Sequence, residues 1–232
     1  MIVNRDGFIL VNKPFGWTSF DAVQYLKRKL RLKKAGHAGT LDPIATGLLI
    51  VLSEKYTVKF DSFMKGIKKY RTSVLFGVES DTDDITGKVK VAEKLLVEQK
   101  SDDFKDLFYE FINSHKGEIV QEVPKYASIK FKGKPLYKYA RNGQEVTVQP
   151  RRIFIHDIHV DKIDFPYANI DITSDKGFYV RSFCRDIGLY CGVGALMLSL
   201  IRTGIGEYLL DDAKDIHDIT LEDLRLLDDE NN

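Results

Sequence analysis

The chain has 232 residues, 44% of them hydrophobic and 11% aromatic, enough to bury one substantial core. No apolar run approaches the roughly 20 residues that cross a bilayer, and Met1–Phe8 shows neither a basic start nor a signal-peptide apolar stretch. A cytoplasmic, membrane-free enzyme-sized domain is expected. The two cysteines, Cys184 and Cys191, are too few for a disulfide framework and lack the paired spacing of zinc sites, so both read as reduced packing residues.

The formal net charge of +1 conceals an uneven distribution. Ten acidic and two basic residues lie between Glu207 and Asn232, which leaves 33 basic against 24 acidic residues over 1–206. Positive charge concentrated on the main body fits a polyanionic partner, because neutralising phosphates releases condensed counterions. The clusters fall at Lys27–Lys34, Lys65–Arg71 and Lys125–Arg141, the last interleaved with Tyr126, Phe131, Tyr137 and Tyr139.

In chain order, Gly7–Val11 reads as a buried strand that ends at Lys13-Pro14. Thr18 or Ser19 then caps a helix with apolar positions Phe20, Val23, Leu26 and Leu30 and a basic opposite face. Gly47–Leu52 is a continuous apolar strand, and Tyr70–Phe76 alternates with period two. Ser101 opens a helix with Phe104, Leu107, Phe108, Phe111 and Ile112 on one stripe. Strands follow at Arg152–Ile163 and Tyr167–Ser174, then a helix from about Tyr179 to Tyr190. The last twenty residues suggest a short amphipathic helix and a frayed acidic end. The alternation of strand and helix character points to a mixed α/β fold without repeats.

The most informative stretch is Gly36–Leu49, where two glycines, a threonine and an Asp-Pro step precede an apolar strand. Glycines allow close backbone approach to a ligand, and Pro43 restricts Asp42 to extended conformations. A carboxylate held in this way serves as a nucleophile or general base if its surroundings keep it ionised. An Asp-Pro pair equally organises a turn, and these residues alone leave both readings open.

Gly36-His37-Ala38-Gly39-Thr40-Leu41-Asp42-Pro43 resembles the signature around the catalytic aspartate of the TruB-type tRNA pseudouridine synthases. The likeness extends to four further segments in order: Lys13–Ser19, Lys69-Tyr70-Arg71 with Gly77 and Asp81–Asp84, Gln121–Ser128 with Lys130 to Gly143, and Lys176–Arg181 with Asp186-Ile187-Gly188. It covers roughly residues 7–206. The resemblance implies a pseudouridine synthase fold: a long mixed, largely antiparallel sheet flanked by helices, with a central active-site cleft. It implies isomerisation of uridine 55 in the tRNA T loop, with base flipping and with no metal or organic cofactor. Asp42, Tyr70 and Arg181 match the catalytic residues. Lys13, His37, Gly39, Thr40, Tyr179 and Leu200 match substrate-binding positions, and Asp84 is placed to hydrogen-bond the arginine. Without the family, Arg181 reads as a surface ion pair, Tyr70 as cross-strand packing, His37 as a loop histidine and Leu200 as core. The run Asp81–Asp84 lacks the length and closing glutamate of a calcium loop.

Two departures stand out. Val58 follows Thr57 where relatives commonly carry a lysine, which here comes later as Lys59. The acidic segment 207–232 leaves no room for the carboxy-terminal PUA domain of many relatives, so the expected organisation is a catalytic domain over 1–206 with a basic RNA-gripping insertion at about 114–143. The expected partner is the T arm of tRNA, met by a monomer without an obligatory protein partner. The rivals are a guide-RNA-dependent relative and an RNA-binding or tRNA-folding factor.

Overall fold

The computed structural model describes residues 5–92 and 101–227. The expected frayed acidic end, 228–232, and the first four residues lie outside the described residues. The main-sheet strands are β1 (Gly7–Lys13), β2 (Ala35–Ala38), β3 (Thr46–Ser53), β4 (Lys68–Phe76), β5 (Gly117–Gln121), β6 (Arg151–Asp164), β7 (Tyr167–Ser174), β8 (Ala195–Ile205), β9 (Tyr208–Leu209) and β10 (Lys214–Asp215). The helices are α1 (Ser19–Lys29), α2 (Phe60–Met64), α3 (Ser101–Ser114), α4 (Leu136–Arg141) and α5 (Val180–Tyr190). The sheet is mixed and largely antiparallel, as the resemblance implied. The chain divides into two compact units: Met1–Tyr70 with Ile201–Asn232, and Arg71–Leu200.

In unit 1 the strand order is β10-β1-β3-β8, with β2 also on β3 and β9 on β8. β1 and β3 pair antiparallel from Gly7↔Ser53 to Lys13↔Gly47. Alternate residues face opposite sides. Ile9, Val11, Leu49 and Val51 pack with Val23, Leu26 and Leu30 from α1 and its end, whereas Phe8, Leu10, Leu48, Ile50 and Leu52 pack with Tyr56 and Phe63. Because both faces are covered, these strands read as unbroken apolar runs rather than as alternation. Thr18 caps α1 through a capping box with Asp21. Phe20 was expected on the buried stripe but is 64% exposed. Ala22, Val23 and Leu26 fill that stripe, and Phe20 lies roughly a third of a turn from its centre at 100° per residue.

The carboxy-terminal segment corrects a second expectation. Among described residues it holds single 3-10 turns at Leu210–Asp212 and Leu221–Asp223 and no α-helix. Phe8 and Arg225 exchange backbone hydrogen bonds of 2.9 and 2.8 Å, which draws the segment into extended conformation beside β1.

In unit 2 the order is β8-β4-β7-β6-β5, and β6 pairs antiparallel with both β7 and β5. Phe104, Phe108, Phe111 and Ile112 of α3 are buried as the stripe predicts. Phe111 meets Phe183 of α5 at 5.3 Å between ring centroids. Both cysteines are buried free thiols, and burial pushes their pKa values up to about 12. The segment after β5 carries a small hairpin, Lys130–Phe131 with Lys134–Pro135, followed by α4. Among described residues, no helix is long and apolar enough to cross a membrane.

Candidate active site

In unit 1, β2 and β3 are joined by a loop that begins at Gly39 and contains Asp42. Gly39 sits at φ +88°, a conformation that side chains disfavour. The residues on either side of Asp42 are tied down separately. The backbone N–H of Leu41 donates to the Ser19 hydroxyl at 2.8 Å, and that hydroxyl donates back to the Leu41 carbonyl at 3.2 Å. The Pro43 carbonyl accepts from the Gly16 N–H at 2.8 Å and from Lys13 Nζ at 3.5 Å. A turn bond from the Ala45 N–H to the Asp42 carbonyl at 3.0 Å closes the loop. Asp42 is thus presented, half-buried, from a backbone fixed on both sides.

Two buried cations lie under this loop. Lys13 is fully buried, and its ammonium also donates to the carbonyls of Pro14 at 2.9 Å and Trp17 at 2.6 Å. Burial lowers its pKa to about 8; the nearby Asp42 carboxylate opposes that shift and Arg202 adds to it. Arg202 is also buried, and it donates to the carbonyls of Leu48 at 2.8 Å, Gly39 at 3.0 Å and Thr40 at 3.5 Å. Its guanidinium also lies beside the Tyr70 hydroxyl. Burial raises the Tyr70 pKa, and Arg202 pulls against that rise. His37 is half-buried, and desolvation and Arg202 both lower its pKa, which favours the neutral imidazole. Among the described residues, its buried Nδ1 finds no hydrogen-bond partner.

Unit 2 carries a second polar group around the start of α5. Gln121 bridges the backbone of Tyr179, accepting from its N–H at 2.8 Å and donating to its carbonyl at 3.0 Å. Two residues on, Arg181 is buried and donates to the carbonyls of Thr82 at 3.2 Å and Tyr126 at 3.4 Å. The Asp84 carboxylate lies 3.9 Å from Arg181 Nη1. Asp84 is buried too, and it accepts from Thr82 Oγ1 and the Thr86 N–H at 2.9 Å and from Thr86 Oγ1 at 2.5 Å. The other carboxylates of this run turn elsewhere, Asp83 to Arg185 at 3.2 Å and Asp81 to the Lys88 N–H at 2.7 Å. Among described residues, no cluster of three or more His, Cys, Asp or Glu side chains could hold a metal.

Residues 27–180 match the family model of the TruB family pseudouridylate synthase (N terminal domain), and residues 181–230 match that of the tRNA pseudouridylate synthase B C-terminal domain. The chain belongs to the TruB family. Among curated members, it is 41% identical over 223 residues to the tRNA pseudouridine synthase B of Clostridium tetani (strain Massachusetts / E88), covering 95% of this chain and 74% of that one. It is 37% identical over 228 residues to the tRNA pseudouridine synthase B of Bordetella avium (strain 197N), covering 97% and 88%. Among solved structures, a Cbf5-Nop10-Gar1 complex superposes with a TM-score of 0.68 at 27% identity. An H/ACA RNP bound to a substrate RNA containing 2'-deoxyuridine does so with a TM-score of 0.66 at 26% identity. The chain covers about half of those two chains, 53% and 52%.

Within this TruB-family chain, unit 1 brings Lys13, Asp42 and Tyr70 together around Arg202, with His37, Gly39 and Thr40 on the adjoining β2 and loop. Unit 2 brings Arg181 together with Asp84, and places Tyr179 at the cap of α5. Leu200 is a buried residue of β8. Sequence reasoning passed over Arg202, Ser19 and Gln121. The signal for Arg202 was a lone arginine after Leu196–Ile201, a stretch apolar but for Ser199, where only a paired charge tolerates burial. The basic cluster Lys65–Arg71 is less open to phosphate than expected. Lys68 is buried on the carbonyls of Met64 and Gly66, and Arg71 pairs with Asp171 at 2.9 Å. In unit 2, a cavity of about 730 Å³ lies between Ser80–Asp83 and residues 122–150, and Arg181 is not among its lining residues.

The lowered Lys13 pKa has a testable consequence. The folded state releases this proton near pH 8 and the unfolded chain near 10.5, so the lysine's contribution to stability rises with pH between those values. Urea unfolding of wild type and Lys13→Met should show wild type gaining on the variant across that window. A constant gap would contradict the assignment.

Proposed function

We propose that this chain converts the T-loop uridine of tRNA to pseudouridine with Asp42 as the catalytic carboxylate. The activity class follows from membership of the TruB family. The observation that carries the assignment to Asp42 is its loop, in which both neighbouring residues are tied to buried or rigid partners while the carboxylate itself stays half-buried. Positioning of this kind converts a difficult encounter into an intramolecular step.

Asp42 acts on the target nucleoside so that uracil is detached, rotates and rejoins the ribose through carbon. Tyr70 stacks against the base and takes a proton from the ribose carbon as uracil leaves, returning it as the new carbon–carbon bond forms, while the proton lost from C5 of the base is balanced by the one gained at N1. Arg181 contributes its positive charge to the reaction, and Asp84 holds Arg181 in place. His37, kept neutral, supports the displaced nucleotide by stacking; Lys13, Gly39, Thr40, Tyr179 and Leu200 shape the substrate site. The reaction transfers nothing from outside, so no cofactor takes part in it. The enzyme works as a cytoplasmic monomer, and exposed lysines and arginines at Arg28–Lys34 and Lys125–Arg141 attract the phosphates.

The likeness to the Cbf5 complexes favours a second reading, dependence on a guide RNA. Purified protein incubated with bare tRNA transcript decides between them: pseudouridine should form in the T loop, and product only with guide and helper proteins would favour the second. Asp42→Asn should abolish product while binding the transcript, with affinity falling steeply as salt rises; product formed by this variant contradicts the assignment. Asp84→Asn removes the charge beside Arg181 at constant volume and should lower turnover about tenfold. Unchanged turnover would leave Asp84 without a role in catalysis.

A further inference from the structure

We infer that Arg202 is a positioning residue of the isomerisation, clamping the Asp42 loop and the Tyr70 phenol to one another. The inference rests on the reading that Asp42 and Tyr70 act on a nucleoside, and it assigns a role to a residue that neither the motifs nor the mechanism above includes. Two sets of contacts carry it.

The first is to the loop. Arg202 sits in β8 where that strand runs parallel to β3, opposite Gly47. A Cβ at Gly47 would lie 2.4 Å from the Arg202 carbonyl, so the two backbones touch and fix where the arginine side chain starts. From there the guanidinium reaches the carbonyls of Leu48, Gly39 and Thr40, that is, the first residues of β3 and the residues that lead into Asp42. These acceptors need a planar donor fork. A lysine ammonium carries three donors from a single point and cannot span carbonyls on two sides of the loop.

The second is to the phenol. The same guanidinium lies beside the Tyr70 hydroxyl, so one fully buried group faces both the carboxylate loop and the phenol oxygen. Its positive charge also favours the phenolate and offsets part of the desolvation that pushes the Tyr70 pKa up. The form that accepts a proton is the phenolate, so this neighbour raises the fraction of Tyr70 competent to act at a given pH.

Arg202→Lys and Arg202→Gln in the full-length protein test this, with kcat and KM measured on tRNA transcript, folded fraction by circular dichroism, and kcat followed against pH. In Arg202→Lys, kcat per folded molecule should fall about ten- to a hundredfold while KM stays within about threefold. In Arg202→Gln the kcat profile should in addition move to higher pH, because the charge that favours the phenolate is gone. The inference is overturned if kcat per folded molecule stays within about twofold of wild type in Arg202→Lys, if the loss falls on KM alone, or if it is matched by loss of folded protein. Wild-type protein that forms no pseudouridine would instead overturn the underlying reading, and the role of Arg202 with it.

Discussion

The site in unit 1 depends on the burial of two cations beneath one loop. Lys13 and Arg202 are taken out of water, a transfer that is unfavourable unless donors meet acceptors. The acceptors of Arg202 are main-chain carbonyls of the segments on either side of Asp42, and Lys13, bonded to the Pro14 and Trp17 carbonyls, adds a contact to the Pro43 carbonyl. The electrostatic demand of Arg202 above all is therefore met when the loop takes this conformation. The two charges repel one another, and the Asp42 carboxylate beside Lys13 relieves that repulsion. The loop therefore has a reason to keep its shape and the carboxylate a reason to stay in place.

This arrangement explains how a short loop can be rigid without being buried. Of the residues around Asp42, Thr40 and Pro43 are exposed, and a loop of such exposure would ordinarily be mobile. Here the apolar sheet beneath, β1 against β3 with both faces covered, supplies the stability, and the ion–carbonyl contacts pass that rigidity on to the loop. In unit 2 the same device recurs around Arg181, whose acceptors are the carbonyls of Thr82 and Tyr126 and whose neighbour Asp84 is itself held by two threonines.

Much of this was legible from the letters. β1 and β3 declared themselves as apolar runs, α1 through its capping threonine, and α3 through its aromatic stripe. β8 did not, because Ala195-Leu196-Met197-Leu198 is rich in helix-favouring residues and its extended form is imposed by the strands beside it. β2, with four residues Ala-Gly-His-Ala, shows no alternation to read. Asp42, Tyr70 and Arg181 were named through motifs. Arg202, Ser19 and Gln121 were not, since each acts by bonding backbone groups far away in sequence, and such bonds leave no local pattern.

The proposed role of Asp42 requires a backbone that does not move to accommodate an error in the position of the carboxylate. Asp42→Glu keeps the charge and moves it by about 1.5 Å, the length of one carbon–carbon bond. Single-turnover formation of pseudouridine in tRNA transcript by this variant, at saturating enzyme, is the direct test. A rate at least about a hundredfold below wild type is predicted, and a rate within about tenfold would show a loop that yields and would contradict the account.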